Sequence, residues 1–153
     1  MSKGVSLELT ADSKRILATW AKDKTGKVDR IIDSWLIRIL AWMLRETMQA
    51  FDKGEQPGGA PWPPNVGTYA AHKASLGKNK PGIFSGALRR SPAQNKSINK
   101  TQKEAKIGSP LPYAPFIFYG TKTAPAFPYF PTVQHGEKYA RTLFNELVRK
   151  HLA

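Results

Sequence analysis

Residues 27–51, KVDRIIDSWLIRILAWMLRETMQAF, form the longest stretch of the chain that lacks Gly and Pro and keeps a helical apolar period. At 100° per residue, Val28, Ile31, Ile32, Trp35, Ile39, Trp42 and Met43 fall within one arc. The stretch therefore predicts a central helix with a broad core face. A second row, Ile37, Ala41, Leu44 and Met48, follows i, i+4, i+7, i+11 spacing on roughly the opposite side. A helix apolar on two sides is buried inside its own domain, embedded in a membrane, or shared with a partner. Asp33, Arg38, Arg45 and Glu46 interrupt the run well short of the ~20 uncharged residues of a spanning helix, which excludes the membrane. A fully buried helix and a subunit contact remain. Both suit a structural or assembly protein better than a catalyst.

The 153 residues suffice for one domain with a real core, and 41% apolar content is that of a globular chain. With no Cys, disulfides and thiolate metal sites are excluded. The absence of Cys is compatible with a reducing cytosol, and the N-terminus lacks the 7 to 15 residue apolar run of a secretory signal. The net charge is +13, and residues 52–107 hold ten Lys and Arg against three Asp and Glu, more than half of that excess. Such a balance favours nucleic acid, an anionic surface or an acidic protein, or it is a solvated basic face.

Along the chain, VSLEL at residues 5–9 alternates as a short strand does, and a helix is expected over residues 13–22. Gly26 then opens the central helix. Residues 52–91 begin with DKGEQPGGAPWPPNVG and read as an extended arm, in which Trp62 is an anchor among prolines and residues 68–76 form a short helix. Residues 92–131 read as two strands, 93–98 and 104–107, joined by a polar turn, followed by an aromatic loop. Six prolines and seven aromatics crowd residues 108–131, where residues 113–119 form a short helical or extended element and 120–125 a mobile loop. Phe116 and Phe130 are assigned to the core. Residues 132–153 predict an amphipathic C-terminal helix with Val133, Ala140, Leu143, Phe144, Leu147 and Val148 on its apolar face.

Motifs for chemistry are lacking in the text. His72, His135 and His151 stand in separate segments, no HEXXH occurs, Ser85 does not lie in a Gly-x-Ser-x-Gly elbow, and the glycines at 54, 58 and 59 lack the Gly-Lys-Ser/Thr ending of a phosphate loop. No cofactor or metal is expected, and a non-enzyme is. The basic set Lys73, Lys78, Lys80, Arg89, Arg90 and Lys96 is a candidate for contact with nucleic acid, to phosphate and independent of sequence. Solubility and attraction to acidic partners explain the same residues.

Three segments carry a family likeness: Trp62 to Pro64 with Thr68, Tyr69 and Lys73; SGALRRS at residues 85–91; and IGSPLPYAPFIFYGT followed by PAFPYFP across residues 107–131. Their order and spacing resemble the virion-morphogenesis family of long-tailed phages, which includes tail-completion and head-tail connector proteins. Ser85 replaces a Thr, and Ile117, Phe118 and Tyr119 stand where a polar pair often precedes the Phe-Gly turn. The resemblance implies an α+β fold, a long N-terminal helix and a C-terminal helix packed on a small antiparallel sheet, with a Pro/Gly-rich arm and loop. It also implies a homo-oligomer, commonly a six-fold ring in the tail or neck of the virion, touching other tail or neck proteins and the packaged DNA. Ile37, Leu44, Met48, Trp62, Tyr113, Tyr119 and Phe127 are the expected subunit contacts.

Overall fold

The computed structural model describes residues 5–8, 11, 14, 26–80 and 85–152. In chain order these form β1 (Val5–Glu8), α1 (Lys27–Lys53), α2 (Gly67–Ser75), α3 (Ala87–Gln94), β2 (Lys96–Asn99), β3 (Glu104–Ile107), α4 (Ala114–Tyr119) and α5 (Val133–Leu152). The helix expected over residues 13–22 lies, Lys14 apart, outside the described residues. The fold is α+β, as the sequence implied. No helix among the described residues is long and apolar enough to cross a membrane.

Helix α1 is the element on which the others meet, touching α3, α5, β2 and β3. Its predicted core arc is buried throughout: Val28, Ile31, Ile32, Trp35, Ile39, Trp42 and Met43 all face inward. Leu36, Leu40, Ala50 and Phe51 widen that face. The helix stops at Gly54, whose left-handed backbone (φ 73°) lets its N–H reach the Ala50 carbonyl at 2.9 Å. Against α5, the Trp35 indole N–H donates to the Ala140 carbonyl at 2.8 Å, and Trp42 stacks on Tyr139 with ring centroids 4.8 Å apart. These contacts bring the two long helices together along their apolar faces.

The sheet has the order β1-β3-β2 and is antiparallel throughout. Its central strand alternates as a half-buried strand must: Ala105 and Ile107 are buried and Lys106 between them is exposed. The β2–β3 turn is closed by Asn99, whose side-chain oxygen accepts the Gln102 N–H at 3.0 Å, and by Lys103 in a left-handed conformation (φ 54°). Lys103 also pairs with Asp29 at 3.0 Å and Asp33 at 3.5 Å, and Lys100 with Asp33 at 3.5 Å. This end of the expected Lys-rich, solvent-exposed hairpin is therefore tied to α1.

Two sequence expectations are corrected between residues 52 and 98. The stretch before α2 is not extended but doubles back through a Glu55–Pro61 bridge, and residues 87–91 already belong to α3, while the short helix expected over residues 68–76 is present as α2. The strand expected to begin at Ala93 begins at Lys96, because residues 87–94 are helical despite Pro92. Proline has no N–H for the Leu88 carbonyl, and the Ser91 hydroxyl supplies that bond instead at 2.9 Å. The Ser91 and Ser109 hydroxyls share a further buried bond at 2.7 Å, which fastens α3 to the chain leaving β3.

Candidate functional site

The second row of α1 faces outward. Ile37 keeps 51% of its surface exposed and Met48 38%, Ala41 is exposed, and Leu44 is half-buried. Of the two readings the sequence left open for this helix, full burial is therefore excluded within the chain.

Trp62 and Phe127, expected at a subunit contact, lie inside, each only 6% exposed. The Trp62 indole donates to the Pro128 carbonyl at 2.9 Å and meets Phe51 and Phe127 edge-on, with centroids 5.3 and 5.9 Å away. The tryptophan does anchor its arm, but to the chain's own core. Phe130 is in the core too, whereas Phe116, assigned there from sequence, is 62% exposed. Helix α4 is only six residues long, and Ala114 and Phe118 occupy its inner side, Phe118 against Tyr129 and Phe130. Tyr113 and Phe116, three residues apart, are left on the outside together with Tyr119.

Tyr113 and Phe116 border a groove of about 740 Å³. Val66 and Tyr69 from the start of α2 line it opposite Tyr113 and Phe116, and Leu88 and Phe127 contribute buried apolar surface. Asn65, Ser85 and Arg89 supply its polar groups. Sequence reasoning missed Val66, Tyr69 and Phe116 here. The available signal was the shortness of the Pro-bounded α4 segment, which cannot bury two sides.

The 120–125 loop that forms part of the rim is held by its own bonds. Thr121 Oγ1 accepts the N–H groups of Thr123 and Ala124 at 3.2 and 3.0 Å, and the Thr121 N–H donates to the Ala124 carbonyl at 2.9 Å. The segment expected as a loop is thus a hydrogen-bonded turn.

Of the basic candidates, Lys73, Lys80 and Arg89 are linked to one another through Asp52. Lys73 is fully buried; its ammonium donates to the Lys80 carbonyl at 2.5 Å and lies 5.5 Å from the centre of the Tyr69 ring. Burial holds its pKa below the usual lysine value. Lys80 in turn donates to the Asp52 carbonyl, and Arg89 holds the Asp52 carboxylate with two bonds, at 3.0 and 2.9 Å. The Arg89 bonds lower the Asp52 pKa. Lys78, Arg90 and Lys96 are exposed. Lys73, Lys80 and Arg89 are thus engaged within the chain, and Lys73 cannot reach a ligand outside it.

Among the described residues no cluster of three His, Cys, Asp or Glu side chains comes together. His135 sits 3.2 Å from Glu46 and against Trp42, joining α5 to α1.

The motifs that carry the family likeness are built into the fold. Trp62 fills the core, Gly86 precedes α3, Leu88 and Ser91 are buried, and the Ala114 carbonyl accepts the Tyr129 hydroxyl at 3.3 Å. Gly120 makes the turn after α4 with φ 73°. No curated protein and no solved structure matches the chain. A family model matches residues 24–141, from the residues before α1 into α5, and therefore takes in both the core helix and every one of these motifs. The chain belongs to the phage virion morphogenesis family.

Proposed function

We propose that the chain is a structural virion subunit that assembles as a homo-oligomeric ring, six-fold by the family resemblance, at the head-proximal end of a phage tail. There it completes the tail or joins it to the neck, and it works by shape rather than catalysis. The observation that supports this reading is the aromatic groove beside α4. The chain fills its core and still leaves Tyr69, Tyr113, Phe116 and Tyr119 in the open, where burial against a neighbour would recover about 25 cal/mol per Å² of apolar surface. Aromatic anchors at such a groove suit the centre of a subunit contact. Packaged DNA passing through the ring would meet a chain of net charge +13 and touch it through phosphate alone.

The test is light scattering of the purified protein across a range of concentration, with electron microscopy of large species, for the wild type and for Phe116→Asp. Rings from the wild type and a folded monomer from the variant are expected. Rings of unchanged size from Phe116→Asp would remove the groove from the contact. A wild type that stays monomeric at every concentration, alone and with tail tubes added, would overturn ring assembly.

A further inference from the structure

Helix α1 uses all of its carboxylates inside the chain and none of the arginines on its outer face. Asp29 and Asp33 pair with the hairpin lysines, Glu46 lies beside His135, and Asp52 is held by Arg89. Arg30, Arg38 and Arg45 are exposed, and among the described residues none of them pairs with a carboxylate. Arg30 makes only a long bond, 3.4 Å, to the Gly26 carbonyl.

On a helical projection Arg38 and Arg45 lie roughly 70° to 90° to one side of the row Ile37, Ala41, Leu44 and Met48, and Arg30 stands at the head of that row. The step of seven positions from Arg38 to Arg45 spans about two turns, roughly 10 Å along the axis. Among the described residues, an exposed apolar row with a cationic border that no carboxylate neutralises is therefore left on the longest helix.

We propose that this face docks an amphipathic helix of a different, acidic protein, one that presents an apolar row bordered by carboxylates two turns apart. Charge decides between this occupant and a second copy. Another subunit would bring its own net charge of +13, and most of its carboxylates on described residues are already paired within it. A duplex would satisfy the arginines but has nothing to cover Ile37 and Met48 with. A lipid surface would need a broader apolar face than four residues in one narrow row provide. The acidic helix satisfies both halves of the surface. The face is separate from the aromatic groove, so it stands or falls independently of ring assembly.

The probe is a pair of designed 21-residue helical peptides with the same leucine row, one bordered by glutamates and one by lysines, titrated by fluorescence anisotropy. The glutamate peptide is expected to bind at least tenfold more tightly than the lysine peptide. Arg38→Glu with Arg45→Glu should weaken it at least tenfold and improve binding of the lysine peptide. Ile37→Ser should weaken the glutamate peptide several-fold. Arg149→Glu with Lys150→Glu, an equal charge change on exposed positions of α5, should leave it within twofold, as should Phe116→Asp in the groove. Circular dichroism melts confirm that each variant is folded.

Equal losses from the two charge pairs would reduce the effect to diffuse attraction and overturn the proposal. So would the absence of binding by the glutamate peptide, or a change of oligomeric mass on Arg38→Glu with Arg45→Glu. Tighter retention on anionic phosphatidylglycerol vesicles than by the glutamate peptide would do the same.

Discussion

At the scale of single residues, Gly120 and Tyr129 show how tightly the aromatic segment is fixed. Gly120 has φ 73° and ψ −178°, a region closed to other residues, and a Cβ there would lie 2.8 Å from the Ala126 nitrogen and 2.9 Å from the Ala124 oxygen. Both atoms are backbone and cannot swing aside. Gly120→Ala is therefore expected to destabilise the fold by about 2–4 kcal/mol, whereas Gly54→Ala, left-handed with nothing within 4 Å of its Cβ, should lose about 1 kcal/mol. Urea denaturation of the two variants side by side checks the difference. Tyr129 is buried with its hydroxyl on the Ala114 carbonyl, and burial first, then the charges of Tyr119 and Tyr113, raise its pKa above the ordinary 10. Below pH 10 the phenol is neutral whether folded or not, and its contribution is complete. Above pH 10 the unfolded chain releases the proton first, so stability falls as pH rises toward the folded value. Between pH 9 and 11 the wild type should lose stability more steeply than Tyr129→Phe in urea titrations. Parallel slopes for the two proteins would refute the assignment.

At the scale of elements, neighbouring residues on α1 test the division of its faces. Leu36 is fully buried and Ile37 half-exposed, although the sequence gives them the same chemistry. Leu36→Ala should destabilise by about 2–5 kcal/mol through the cavity it leaves. Ile37→Ala should stay within about 0.5 kcal/mol, because little burial is lost and alanine favours the helix. Comparable losses at the two positions, read from denaturation midpoints, would mean that the outer row is covered in the free subunit. Helices α1 and α5 were legible in the sequence because a long 3.6-residue period leaves no other way to gather their apolar side chains. Even on α5 the apolar face was one residue too long, since Val133 in the first turn is exposed. Helix α3 was hidden by Pro92, a helix breaker by every local rule, whose missing donor is replaced by the hydroxyl of the preceding Ser91.

At the scale of the whole molecule, the chain closes one core and leaves two unlike apolar surfaces, a groove lined by rings and a helix row bordered by arginines. Under the function proposed above, a subunit with two such surfaces would contact two kinds of neighbour at once. The sequence by itself determined the long central helix and its core arc, the C-terminal helix, the hairpin strand 104–107 and the family to which the motifs belong, and the α+β class only through the resemblance to that family. Each of these is a local pattern, set by propensity and period over a few turns or by the spacing of short motifs. Only the tertiary structure decided that Trp62, Phe127 and Lys73 lie inside while Phe116 and Ile37 lie outside, that β1 pairs with β3 about a hundred residues later, and that Lys80 and Arg89 are engaged by Asp52. Burial is a competition among similar side chains for a limited interior. Its outcome depends on which elements the folded chain lays against one another, and a local period carries no record of that.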